Sequence, residues 1–352
     1  MKFGVFIFLV RLGLASSRGD ADMLLSNKLG FGGMGLAQLV GTEDGPTSKS
    51  LPSISDKQYA DLIAKEVKAI GATTPKDASP SNFNPKQAQP EQVASRSSSE
   101  AEAYRVASLA SLSYCTLPEV EKMTCQACRR AQGAEVVQVF SDEQTTGRGV
   151  LLLDKSRQEI ILTFRGSPTP ENWISSLEFS LAPAPYAKDV QVHPGFRQAT
   201  NVLMFKIYNP IKKIVKEHPA YKLIVTGHSL GGSLAALASS ELLHRRIISP
   251  SKLNLFTYGE PRTGNLAFAR WLNSQDAHIT RVVNENEIVP HIPPASSGFA
   301  HHATEMYIHT NKSTICSTKE IEDLTCSLSR FPDLSVASHL RAWDMPMATS
   351  AC

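Results

Sequence analysis

Gly227-His228-Ser229-Leu230-Gly231 stands between a short apolar run, Leu223 to Thr226, and an Ala/Leu-rich stretch, Leu230 to Leu243. A serine inside Gly-x-Ser-x-Gly, with a strand before it and a helix after, occupies a sharp turn that exposes its hydroxyl. Side chains at Gly227 and Gly231 would collide with the neighbouring strand and helix. The start of the following helix offers free N–H groups and the positive end of its dipole to a developing oxyanion. The chemistry expected here is nucleophilic acyl transfer, with Ser229 as the nucleophile. Without its flanks, the pentapeptide would be no more than a glycine-rich turn capped by Ser229.

A serine hydroxyl needs a base, and the base needs an orienting acid. Behind this kind of elbow the chain order is serine, acid, histidine. The histidines after Ser229 are His244, His278, His291, His301, His302, His309 and His339. His339 is the last of them, in a segment with a cysteine nearby. The acids include Glu260, Asp276, Glu285, Glu287, Glu305 and Asp333. The acid should follow a strand, and Ile279 to Val283 is the best late strand, which leaves both Glu285 and Glu287 open.

The elements that must position these groups read as alternating strands and helices. Ala101 to Leu112 is apolar at helical spacing. Val136 to Phe140, Gly149 to Leu153 and Glu159 to Phe164 are strands by their β-branched and apolar content. Phe196 to His218 is a long amphipathic helix in which Pro210 is expected to introduce a kink. Leu253 to Tyr258 and Ile279 to Val283 are further strands, with a helix near Leu266 to Asn273 between them. Such alternation implies an α/β fold with a mostly parallel sheet covered by helices on both faces.

The chain has 352 residues, 42% hydrophobic and 20% charged, which is an ordinary globular composition. A formal charge of +3 gives no footing for nucleic-acid binding. Lys2, the apolar run Phe3 to Val10 continued by Leu12 to Ala15, and the small residues Ala15-Ser16-Ser17 read as a secretory signal peptide over 1–17. Arg11 interrupts it, and no stretch reaches the ~18 apolar residues of a membrane span. Residues 18–95 are read as a propeptide, polar and Pro/Ser/Gln-rich from Ala72 to Ser99, with one short amphipathic helix expected over Asp56 to Ile70. Residues 96–352 form the catalytic body. Its six cysteines, all between Cys115 and Cys352, suggest a disulfide framework and a secreted, extracellular location. Cys125-x-x-Cys128 alone is also a redox or zinc pattern, but no His or Cys cluster nearby completes a metal site.

Four ordered motifs carry a resemblance: Phe164-Arg165-Gly166-Ser167, Val225 to Gly232, Tyr258-Gly259-Glu260-Pro261-Arg262-Thr263-Gly264-Asn265, and Ile288 to Pro294. With the six cysteines, they make the chain from about Ala101 to Cys352 similar to the fungal class 3 triacylglycerol lipases of the Rhizomucor and Rhizopus type, which are made as prepro-enzymes. The resemblance implies an α/β-hydrolase fold with a short helical lid, and a triad of Ser229, Glu287 and His339. Leu230 and Ser167 would form the oxyanion hole. Where the family has aspartate, Glu287 reaches one methylene further. Tyr114, His228 and Leu340 are expected along the substrate cleft. Trp173, Ile174, Leu177 and Phe179, in the segment Pro168 to Phe179, are expected in the lid, although such a stripe is more often core. By the same resemblance Cys115 pairs with Cys352, Cys125 with Cys128, and Cys316 with Cys326.

The implied activity is hydrolysis of triacylglycerol esters at an oil–water interface by a monomer that touches lipid only peripherally and needs no metal or organic cofactor. Feruloyl esterases and phospholipases A1 share this scaffold, and a catalytically weakened lipid-binding relative is the rival from another class. Asn311-Lys312-Ser313 is a glycosylation sequon.

Overall fold

The computed structural model describes residues 97–131, 133–316, 322–323, 325–330 and 333–352. The expected signal peptide, the propeptide and the helix over Asp56 to Ile70 lie outside these residues. In chain order the principal elements are α1 (Ser98–Leu112), β1 (Glu135–Ser141), β2 (Arg148–Asp154), β3 (Glu159–Phe164), α2 (Pro170–Ser176), α3 (Pro194–Glu217), β4 (Lys222–His228), α4 (Leu230–His244), β5 (Leu253–Tyr258), α5 (Leu266–Asn273), β6 (His278–Asn284), β7 (Glu305–His309), β8 (Lys312–Ile315) and α6 (Val336–His339).

Eight strands form one sheet in the order β1 to β8. β1, β2 and β3 are antiparallel neighbours. β3 to β7 run parallel, and β8 folds back on β7. β2 and β3 are buried along their whole length, as strands covered on both faces must be. The two-residue period splits their side chains between two apolar layers. Leu151, Leu162, Val225 and Leu255 meet Leu203 and Ile207 of α3 and Leu234 and Leu237 of α4. Leu152, Ile161, Ile224 and Phe256 meet Val106 and Leu109 of α1.

Local chemistry sets the helix ends. Ser97 accepts the Glu100 N–H (3.3 Å) at the start of α1. His193 caps α3 by accepting the Phe196 N–H at Nδ1 (3.3 Å), with Pro194 in the first turn, where its missing N–H costs nothing. α3 runs continuously from Pro194 to Glu217 with Pro210 inside it.

The sequence reading found no strand at β7 or β8. Only Met306, Tyr307 and Ile308 are apolar in β7, between Glu305 and His309. Glu305 nevertheless fits a buried strand position because it registers with Arg281 of β6 and pairs with it at 2.8 Å. The charge that argues against a strand is neutralised across the ladder. Thr310 (φ 50°) and Asn311 (φ 60°) make the two-residue turn between β7 and β8, and Asn311 is exposed.

The structure joins Cys115 to Cys352, Cys125 to Cys128 and Cys316 to Cys326. The first bond spans 237 residues. By chain-entropy reasoning, a loop of that size is worth about 5 kcal/mol of stability. Replacing both Cys115 and Cys352 with serine is expected to lower Tm by on the order of 10 °C in a thermal melt. An unchanged Tm would show that the bond closes nothing the rest of the fold does not already hold.

Candidate active site

β4 ends at His228 and α4 begins at Leu230, so Ser229 alone makes the turn. It does so with φ 58° and ψ −134°, a strained conformation for a residue bearing a side chain. The flanking glycines are forced by contact. A Cβ on Gly227 would lie 2.1 Å from the Gly231 carbonyl oxygen, and one on Gly231 would lie 2.3 Å from the Phe164 carbonyl oxygen. Leu230 opens α4, where amides have no partner within the helix.

β6 ends at Asn284, and the chain turns back toward the segment around α6. Glu287 and Ser335 form a parallel bridge. Ile288 N–H donates to the Ser335 carbonyl (3.1 Å) and Ser335 N–H to the Asn286 carbonyl (2.8 Å). Asn284 Nδ2 holds the Ser338 carbonyl (2.9 Å), and Ser338 Oγ donates to Asn286 Oδ1 (2.7 Å). Through these bonds Glu287 and His339 meet: His339 Nδ1 lies 2.7 Å from Glu287 Oε2. The other carboxylate oxygen, Oε1, accepts the Asn284 N–H at 2.6 Å. The longer glutamate arm is thus used at both of its oxygens.

Burial pushes the Glu287 carboxyl well above the usual carboxylate range, against the pull of the Asn284 N–H. The His339 ring stacks on that of His228 (centroids 4.5 Å apart), which sets it beside the elbow. Ser229, Glu287 and His339 are 0%, 2% and 0% exposed. Ser229 Oγ has no hydrogen-bond partner among the described residues, a loose arrangement typical of sites without substrate.

Glu285, the other acid left open by the sequence, turns elsewhere. Its backbone is left-handed (φ 51°), and its carboxylate holds His309 Nδ1 (2.8 Å) and the Thr310 N–H (2.5 Å) at the β7–β8 hairpin.

Ser167 lies just past β3, half-buried, with its Oγ accepting the Thr169 N–H (3.2 Å). That bond leaves the hydroxyl hydrogen available to a substrate oxygen. α2 follows directly. Trp173 and Leu177 pack onto the apolar layer over α3. The Trp173 ring stacks on Phe196, and Phe196 in turn on His193. His193 Nε2 reaches the Glu178 carbonyl at 2.7 Å, so the far end of this segment is also held. Ile174 is half-buried, whereas Phe179 is 48% exposed. Leu340 is half-buried beside His339. Tyr114 and His228, expected along the cleft, lie buried behind the elbow, where their polar atoms bond to each other (3.0 Å).

Beyond counting Glu260 among the candidate acids and His291 and His302 among the candidate bases, the sequence reading did not anticipate a second network of buried charges. Arg262, fully buried, forks onto Glu322 (2.9 and 2.7 Å) and reaches the carbonyls of His291 and Pro293 (both 3.1 Å). It thereby fixes the loop that follows Glu287. Glu260 pairs with His302 (2.9 Å) and Thr263 (2.7 Å). The signal was present in Tyr258 to Asn265: charged side chains in a run that leaves a core strand must find buried partners.

The family profile described as Lipase (class 3) matches residues 161–297. The lipase of Rhizopus niveus is 33% identical over 245 residues, 68% of this chain and 62% of that protein, so the chain spans under two thirds of that curated relative's length. The solved Rhizomucor miehei lipase propeptide complex is 31% identical, with a TM-score of 0.69, over 73% of this chain and 84% of its own. A solved triacylglycerol lipase whose catalytic centre is described as a serine protease triad is 32% identical, with a TM-score of 0.68, over 72% of this chain and 98% of its own.

Proposed function

The chain belongs to the class 3 lipases, and we propose that it is a secreted serine hydrolase that cleaves the carboxylic ester bonds of triacylglycerols. The observation that carries this is the buried Glu287–His339 contact (2.7 Å) beside a serine held at positive φ. In the proposed cycle Ser229 Oγ attacks the ester carbonyl while His339 Nε2 takes its proton. Glu287 holds the Nδ1 proton and stabilises the imidazolium. The Leu230 and Ser167 N–H groups, with the Ser167 hydroxyl, hold the tetrahedral oxyanion, each worth about 3 kcal/mol of transition-state stabilisation. His339 returns the proton to the leaving alcohol, then activates the water that releases the acyl group.

α2 and its flanks act as the lid in this reading. They cover the site in water, and Trp173, Ile174, Leu177 and Phe179 turn toward lipid when it opens. Residues 1–17 direct secretion, and 18–95 act as a propeptide; a relative solved with its own propeptide supports this assignment. Asn311, exposed at the β7–β8 turn, is the proposed glycan site. No helix among the described residues is long and apolar enough to cross a membrane. In this reading the protein is a monomer that meets lipid only at its surface.

A fluorophosphonate probe should label Ser229 in the processed protein. Hydrolysis should be faster on tributyrin and olive oil than on phosphatidylcholine or methyl ferulate, and should rise above the solubility limit of tributyrin. Absence of labelling would sink the enzyme reading. A preference for phosphatidylcholine or methyl ferulate would move the substrate class, and a rate that ignores the solubility limit would remove the lid.

A further inference from the structure

Tyr114 and His228 are two buried polar side chains that the proposed cycle leaves unused. Each has a fixed hydrogen-bonding direction. The His228 Nε2 atom lies 2.8 Å from the His339 carbonyl oxygen. A carbonyl only accepts, so Nε2 must carry the hydrogen. Burial, and next the neighbouring His339, hold His228 well below the ordinary histidine range, so the ring is neutral. Its Nδ1 is therefore bare and must accept. The group facing Nδ1 is the Tyr114 hydroxyl, at 3.0 Å, which must then donate. The same hydroxyl lies 3.3 Å from the His228 carbonyl oxygen, so both of its acceptors belong to residue 228. The phenol oxygen also packs closely against Gly166, one residue before Ser167. A Cβ on Gly166 would lie 2.2 Å from that phenol oxygen, so only glycine lets the loop come so close.

The bonds run in one direction. Gly166 packs against the Tyr114 phenol oxygen, Tyr114 O–H donates to His228, and His228 Nε2–H donates to the backbone of His339. We propose that Tyr114 and His228 are positioning residues that tie the oxyanion loop to the general base, by the tight Gly166–Tyr114 contact and a directional hydrogen-bond chain from Tyr114 through His228 to the His339 backbone. The proposal rests on the hydrolase reading above for its consequence, though not for its geometry. Neither group touches the reacting atoms. They act by keeping the His339 ring, which stacks on His228, in register with Ser167.

The test is kinetic and spectroscopic. Tyr114→Phe should lower kcat about tenfold on a soluble p-nitrophenyl ester and on tributyrin, with KM within about twofold, in line with loss of one aligned hydrogen bond. His228→Leu should cost at least as much. His228→Gln, whose amide N–H can still reach the His339 carbonyl, should recover most of the loss. The double variant Tyr114→Phe with His228→Leu should be no worse than His228→Leu alone, because both break one chain. In the wild-type protein, ¹⁵N NMR of the histidine rings should show His228 as the neutral Nε2–H tautomer at neutral pH. An unchanged kcat in Tyr114→Phe, additive losses in the double variant, or an Nδ1–H or protonated His228 would overturn the chain. Should a variant fail to fold, the wild-type NMR result still decides. A wild type inert toward esters and the probe would refute the proposed function instead, and the tautomer measurement would remain readable.

Discussion

Glu287→Gln lowers kcat by about 10⁴-fold, the scale seen when a triad acid is replaced by its amide, with KM within a few-fold. The direction follows from the two bonds of the carboxylate. Oε1 accepts the Asn284 N–H at 2.6 Å, and Oε2 meets His339 Nδ1 at 2.7 Å. In glutamine only one of these positions keeps an oxygen. The Asn284 N–H is a backbone donor that cannot reverse, so it retains the oxygen and the amide nitrogen faces His339. That nitrogen donates to Nδ1 and drives the ring to its Nε2–H tautomer, which cannot receive the Ser229 proton. Glu287→Asp keeps the charge but shortens the arm by a methylene, so it cannot satisfy both partners from the same backbone. Its expected loss is about 10- to 100-fold, the cost of misplacing a catalytic group by roughly 1 Å. Steady-state kinetics on tributyrin, with probe-labelling rates as a second reading, checks both. A glutamine variant within tenfold of wild type would show that Glu287 is not the orienting acid.

Gly259→Ala is the second large effect, expected at about 10² in kcat with a modest stability loss of about 1–2 kcal/mol. Gly259 follows β5 at φ 54°, anchored by its N–H on the Val282 carbonyl (3.0 Å). A Cβ there would lie 2.4 Å from Glu287 Oε2 and 2.6 Å from His339 Nδ1. The added methyl meets the two atoms whose contact defines the dyad, and at least one must withdraw. The split between activity and stability is the useful readout. A purely structural glycine would lose Tm and keep kcat, whereas here kcat falls far more than the melting shift accounts for. Retention of kcat within a few-fold would mean that the pair can rearrange around the methyl without losing its bond.

Much of the central architecture was legible because it depends on local pattern. β1 to β6 and α1, α3 and α4 are long and apolar enough to be read from periodicity, and Gly227 and Gly231 mark the elbow by themselves. The choice between Glu285 and Glu287 was not legible from the residues. Both follow the same strand, and the difference lies in one left-handed backbone angle at Glu285, which sends its carboxylate to His309. β7 was hidden for a related reason. Its buried Glu305 reads as a surface residue until Arg281 is placed beside it. The pairing of Tyr114 with His228 joins positions 114 residues apart, and no local pattern encodes which buried phenol meets which buried imidazole.

The strands of the large sheet lie side by side in the order in which they occur along the chain. No strand has to wedge between two that are already paired, so a chain emerging vectorially during synthesis or translocation can add each strand to the edge just completed. The same order places the proposed nucleophile early and its proposed base late. Ser229 is set once β4 and α4 have formed, whereas His339 arrives only when the final segment docks through the Glu287–Ser335 bridge. Until then the elbow holds a serine with no proton acceptor. The growing chain would therefore stay without its proposed base until its last segment is in place, with timing supplied by topology alone.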